Sequence, residues 1–235
     1  ILRTLGAGIT VTGDAYVVTG TGGRFRSVPV RERGSDGEAG ILDVGSSGTT
    51  LYFMTGLASL ADRPITLTGM KYFRRRPIRA LLGALTQLGI DLSSEQGCPP
   101  ITVQPKRPKG GVAEIKGTLS QWISGLLLVA PFAEQDSVIQ VTGGGLNEKS
   151  YVDLTVRMMR HWGLEVEVAD DGLSYRIPGG QTPLAADYTI PPDIGSAAFG
   201  IAAAALHPSD VLFEGITATT TAEVDHPESH FLDIV

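Results

Sequence analysis

The chain has 235 residues, 42% of them hydrophobic, with 30 glycines, one cysteine and a formal charge of -6. This length and apolar fraction support one large domain or two small ones, the glycines call for many short elements, and the acidic balance argues against a general nucleic-acid binder, which needs a basic face. A lone Cys98 excludes an internal disulfide and a cysteine-built metal site and fits a reducing compartment; no signal peptide is evident and no apolar run is long enough to span a bilayer.

Taken in chain order, "ILRTLG" reads as the end of a helix, followed by a strand, a turn and a second strand through "GTGG". "GILDVG" is a short strand, "GTTLYFMTGLASLA" a helix and "ITLTG" a strand. "PIRALLGALTQLG" is a helix with Ile78, Leu81, Leu82, Leu85 and Leu88 on one stripe. A strand pair runs through "IDLSSEQGCPPITVQP", with Cys98 at its turn as a structural residue. "VAEIKG" is a strand, "SQWISGLLLVAPFA" a buried helix and "SVIQVTGG" a strand. "YVDLTVRMMRHWG" is a helix with Tyr151, Leu154, Thr155, Met158 and Trp162 on one side, and a further strand pair follows. "DYTIPPDIGSAAFGIAAAALHPSDVLFEGI" opens another unit as strand, helix and strand, and "HFLDIV" reads as the middle of a helix.

Three stretches, beginning at Leu2, Leu85 and Met159, share one pattern: helix end, glycine stop, strand, turn, strand. Their spacing of roughly 75–80 residues suits a supersecondary unit of βαβαββ type, too long for a solenoid repeat. The fold class is α/β (α+β), built from repeated units of that kind. Residues 1–186 read as the tail of one unit plus two full ones, and 187–235 open a fourth, which the resemblance given below makes the start of a second lobe. Such repetition aims several helix N-termini, with their free N–H groups and partial positive charge, in one direction.

The chemistry gathers at those starts. "GSSGTT" is small and hydroxyl-rich, so backbone and side chains can both approach a ligand. "RRRP" sets Arg76 before Pro77, the first helical position, where the macrodipole disfavours a cation and an anionic ligand would explain it. "GTLSQ" offers Ser120 and Gln121, and "NEKSY" offers Lys149 and Tyr151. Each motif alone is ordinary capping or solvated surface.

The ordered set "GSSGTT", "RRRPI", "LSQWISGLLLVAPFA", "KSYVDLT" and "PDIGSAAFGIAAAAL" resembles the enolpyruvyl transferase family over nearly the whole chain. The resemblance implies an inside-out α/β barrel of two lobes, three βαβαββ units each. It implies transfer of the enolpyruvyl group of phosphoenolpyruvate to the 5-hydroxyl of shikimate 3-phosphate, with release of phosphate and no cofactor or metal. It also implies a monomeric cytoplasmic enzyme without nucleic-acid or membrane partners.

By position, Gly48 and Thr49 match the loop beside phosphoenolpyruvate, and Arg76 the arginine that holds it by bidentate pairing. Ser120 matches a residue on the shikimate phosphate, Gln121 one between the substrates, and Tyr151 an aromatic against the shikimate part. Lys149 and Asp193 are further candidates, Asp193 at the entry of the second lobe. The family's catalytic lysine, aspartate and glutamate have no counterpart within the chain, so the 235 residues alone are expected to be inactive. Three positions depart from the pattern: Tyr52 where an arginine is usual, Leu119 before Ser120 where the family has a serine pair, and Glu148 in place of a serine. They leave open a divergent transferase acting on another hydroxylated acceptor, or a non-catalytic binding relative. His161 reads as a surface or capping residue. His226 and His230, with Asp225 and Glu228, read as a polar loop in preference to a metal site, and "GGG" at Gly143–Gly145 lacks the lysine and hydroxyl of a phosphate loop.

Overall fold

Alternating short apolar strands with amphipathic helices yields the same wiring twice in the chain. The structure, a computed structural model, describes residues 1–26, 40–216, 227–228 and 231. The chain divides into two compact units, Ile1–Leu184 and Ala185–Val235. In the first, "ILRTLG" forms a turn that buries Leu5 and not a regular helix. An antiparallel hairpin of β1 (Gly8–Thr12) and β2 (Ala15–Thr19) follows.

The first full repeat runs β3 (Ile41–Asp43), α1 (Gly48–Leu57), β4 (Ile65–Thr68), α2 (Arg79–Gln87), β5 (Leu92–Glu95) and β6 (Cys98–Val103). The second runs β7 (Gly111–Gly117), α3 (Ser120–Val129), β8 (Ser137–Leu146), α4 (Lys149–His161), β9 (Glu167–Val168) and β10 (Ser174–Ile177). The sheet orders are β3-β4-β6-β5 and β7-β8-β10-β9. In each sheet the first two strands are parallel and the remaining pairings antiparallel. A parallel pair needs a crossover, and α1 and α3 supply it; the antiparallel pair closes with a short turn. The expected βαβαββ repeat is therefore present as two complete copies.

The helices cover the sheets with their apolar stripes. Ile78, Leu81, Leu82, Leu85 and Leu88 are all buried, each contributing roughly 1.5–3 kcal/mol relative to exposure. On α4 the buried line is Val152, Val156 and Met159, whereas Tyr151, Leu154, Thr155, Met158 and Trp162 form its half-buried flank. The expected stripe was one residue out of phase: starting the helix at Lys149 places the i, i+4, i+7 positions from Val152 against the core. Cys98 is a free thiol at the β5–β6 turn.

The core contains one group that ties stability to pH. Tyr175 is fully buried, and its hydroxyl donates to the Gly172 carbonyl at 2.9 Å. Burial, with Asp153 and Asp171 nearby, pushes its pKa up to about 12. Below its unfolded pKa of about 10 the phenol is neutral in both states and the stabilisation is complete. Between about pH 10 and 12 the unfolded chain ionises first, and roughly 2–3 kcal/mol is lost as pH rises. Denaturant titrations from pH 8 to 12 should show that loss, and Tyr175→Phe should remove its share of it.

In the second unit, α5 (Ile194–Leu206) is capped by Asp193, which accepts from the Ser196 N–H at 3.1 Å and its hydroxyl at 2.6 Å. The strands expected on either side of α5 are not formed among the described residues. An extended segment becomes a strand only when a neighbour takes its N–H and C=O groups. No helix among the described residues is long and apolar enough to cross a membrane. His161 ends α4 with its ring edge-on to Trp162. Asp225, His226 and His230 lie outside the described residues.

Candidate anion-binding site at three helix starts

Three helices run side by side in the same direction. Thr49 meets Gln121, and an added Cβ would bring Gly125 against Tyr52 and Gly56 against Val129, so α1 and α3 advance together. Ser120 meets Glu148 and Ser124 meets Thr155, so α3 and α4 do the same. Gly125 permits the close approach: a Cβ there would stand 2.9 Å from the Tyr52 carbonyl oxygen. The starts of α1, α3 and α4 consequently lie at one end.

No acidic residue occupies the first turn of any of the three. Each start carries about half a positive charge; at the α3 and α4 starts the Glu148 carboxylate offsets it, and the α1 start is left without an acidic residue in its first turn. Ser47 caps α1 by accepting from the Thr50 N–H at 3.2 Å. The N–H groups of Gly48 and Thr49, in the first turn, have no acceptor within the helix. Gln121 donates from Nε2 to Thr49 Oγ1 at 2.8 Å, tying the start of α3 to that of α1.

Arg76 completes this cluster by a route the sequence did not indicate. The α2 helix begins at Arg79, after a 3-10 turn at Phe73–Arg75, so Arg76 does not precede a helical Pro77. The start of α2 is occupied instead by the β5–β6 turn: Ile78 N–H donates to the Gly97 carbonyl and Arg79 Nε to the Gln96 carbonyl. Arg76 lies beside the start of α1, where a Cβ on Gly48 would be 3.6 Å from its Nη1. Its Cζ stands 5.7 Å from the Tyr52 ring centroid and 5.6 Å from that of Phe73. Among the described residues no carboxylate pairs with it. Arg74 is spent holding the Gly69 carbonyl at 2.9 Å.

The acceptor-side candidates are differently arranged. Buried Ser120 donates to Glu148 Oε2 at 2.8 Å. Glu148 holds a left-handed φ of +53° at the residue before α4. Lys149 pairs with Asp153, one turn on, at 2.6 Å. Tyr151 is half-buried in the first turn of α4. Gly48, Thr49, Arg76, Ser120, Gln121, Lys149 and Tyr151 thus share the helix-start end, while Asp193 is a helix cap within the second unit.

Two groups at this end escaped sequence reasoning as ligand donors. The Tyr52 side chain is 1% exposed, and its ring lies edge-on to Trp122 at 6.2 Å. Tyr52 was visible only as a departure from a motif, and Trp122 only as part of a buried helix. Neither carries a local signal, because their meeting depends on the register of α1 against α3. Burial raises the Tyr52 pKa, with Arg76 pulling the other way, so the phenol keeps its proton at neutral pH.

Comparison with known proteins agrees with this architecture. A family model described as EPSP synthase (3-phosphoshikimate 1-carboxyvinyltransferase) matches residues 1–228. The chain is 36% identical over 206 residues to the 3-phosphoshikimate 1-carboxyvinyltransferase of Methanococcoides burtonii, covering 86% of the chain and 45% of that protein. It is 39% identical over 182 residues to that of Methanosarcina mazei, covering 74% and 42%. A solved EPSP synthase structure from Acinetobacter baumannii has a TM-score of 0.68 at 24% identity, covering 87% of this chain and 43% of that one; this likeness bears on the fold. The chain spans a little under half the length of the curated relatives it matches.

Proposed function

The chain belongs to the EPSP synthase family, and from that premise we propose that it supplies one wall of a site transferring the enolpyruvyl group of phosphoenolpyruvate to the 5-hydroxyl of shikimate 3-phosphate. The observation that carries this reading is Arg76 at the electropositive start of α1, with no acidic residue in that first turn. Arg76 and the N–H groups of Gly48 and Thr49 grip phosphoenolpyruvate. Gln121 lies between the substrates, and Ser120 and Tyr151 face the acceptor; Lys149 reaches it only on leaving Asp153. The acceptor hydroxyl adds to C2 of phosphoenolpyruvate, losing its proton as C3 gains one; C3 then gives up a proton as the C2–O bond to phosphate breaks, leaving the enolpyruvyl ether and inorganic phosphate. These residues bind and orient; the proton transfers are not assigned to them. The second unit opens the other lobe, and the whole protein works as a cytoplasmic monomer.

Calorimetry of the full-length protein with shikimate 3-phosphate, with and without phosphoenolpyruvate, tests the proposal. Binding of both, with phosphate released on mixing, is expected; failure to bind phosphoenolpyruvate would sink it. A second reading, an acceptor without phosphate, is favoured by one feature: the Glu148 carboxylate already occupies the Ser120 hydroxyl. If shikimate 3-phosphate is the acceptor, Glu148→Gln removes a like charge and should tighten its binding about tenfold. Equal affinity for shikimate and its phosphate, unchanged by Glu148→Gln, would favour the second reading.

A further inference from the structure

Arg76, Tyr52 and Trp122 bring three polar side chains to one place with almost nothing to receive their hydrogen bonds. Tyr52 Oη and Trp122 Nε1 are both buried, and among the described residues neither has a fully formed hydrogen bond. An indole and a guanidinium only donate; a phenol donates once and accepts. The sole acceptor among the three is therefore the Tyr52 oxygen. Arg76 and Trp122 both approach it as hydrogen-bond donors, though neither reaches full hydrogen-bonding geometry. Buried polar groups in folded proteins are nearly always satisfied, so an orphaned pair beside a cation calls for an explanation.

We propose that Tyr52 and Trp122 are anion-binding residues: with Arg76 above them and the start of α1 beside them, they donate to the oxygens of the anion that Arg76 holds. The position of the phenol supports this. A Cβ on Gly48 would meet Tyr52 Cε2 at 3.3 Å and Cζ at 3.7 Å, so the hydroxyl-bearing end of the ring abuts the first turn of α1. The ligand class is a small carboxylate or phosphate, whose several lone pairs supply the acceptors this cluster lacks. The exposed Arg76 guanidinium rests against the Tyr52 ring. The anion reaches the phenol when that guanidinium turns outward onto it. A neutral donor here gives the subsite fewer fixed charges than a second arginine would, and so less dependence on salt.

The inference rests on the proposed function, in which the anion is phosphoenolpyruvate. Tyr52→Phe in the full-length protein keeps the ring, its packing and its contact with Arg76, and removes only the hydroxyl. Phosphoenolpyruvate affinity, measured by calorimetry, should fall about five- to thirtyfold, while the melting temperature stays level or rises, because an unsatisfied buried group has been deleted. Trp122→Phe should weaken binding in the same direction. Wild-type affinity in Tyr52→Phe, alongside clear loss in Arg76→Gln, would overturn this inference and leave the functional reading standing. No binding by the wild-type protein would overturn both.

Discussion

Replacing Arg76 with glutamine in the full-length protein should weaken phosphoenolpyruvate binding by about 10- to 100-fold, the worth of a charge-assisted hydrogen bond to an anion. Folding should barely respond. The side chain is exposed and pairs with no carboxylate among the described residues, so only its contacts with the Tyr52 and Phe73 rings are lost, about 0.5–1 kcal/mol. The ligand would no longer find a guanidinium at the start of α1, though the backbone N–H groups of Gly48 and Thr49 would remain. Calorimetry alongside thermal melting separates the two effects. An unchanged dissociation constant would remove Arg76 from the site, and a large drop in melting temperature would recast it as a structural residue.

Gly125→Ala should be the more damaging change to the fold. Its Cβ would lie 2.9 Å from the Tyr52 carbonyl oxygen and 3.4 Å from the carbonyl carbon. Both atoms belong to the backbone of α1 and cannot swing away, so α1 and α3 must separate. Overpacking of this kind costs about 1–3 kcal/mol. The same separation pulls Thr49 from Gln121 and Tyr52 from Trp122, so ligand binding should weaken together with stability. Gly83→Ala is the internal control: it sits on the exposed side of α2, and a Cβ there would meet nothing within 4 Å. It should be neutral or stabilising by up to ~1 kcal/mol. Denaturant midpoints for the two variants test the contrast. Equal midpoints would show that the α1–α3 contact yields without cost.

The fold was largely readable because its evidence is local and repeated. The glycine stops after helices, the short β-branched runs and the apolar stripe from Ile78 to Leu88 each follow from spacing along a few turns of chain. The wiring repeated because the pattern did. Errors arose where a boundary depended on something distant. Pro77 looked like the first residue of α2, but the β5–β6 turn takes the Ile78 N–H and Arg79 Nε and sets the start at Arg79. The α4 stripe was misread by one position because its buried face is chosen by what packs on it. The strands around α5 were expected from their composition, but composition cannot provide the neighbouring strand that makes a ladder.

From the sequence alone came the βαβαββ repeat, its apolar faces and the supply of small, hydroxyl-bearing and cationic residues near helix starts. Those properties follow from periodicities of two and 3.6 residues, which are written into neighbouring positions. Only the tertiary structure decided which helix start Arg76 serves, that Glu148 takes the Ser120 hydroxyl, and that Tyr52 and Trp122 bury their donors side by side. Each depends on the parallel register of α1, α3 and α4. That register is set by backbone approach at Gly125, by the Val129 and Leu85 side chains packed over Gly56 and by sheets pairing residues far apart in the chain, distances over which sequence spacing carries no geometric information.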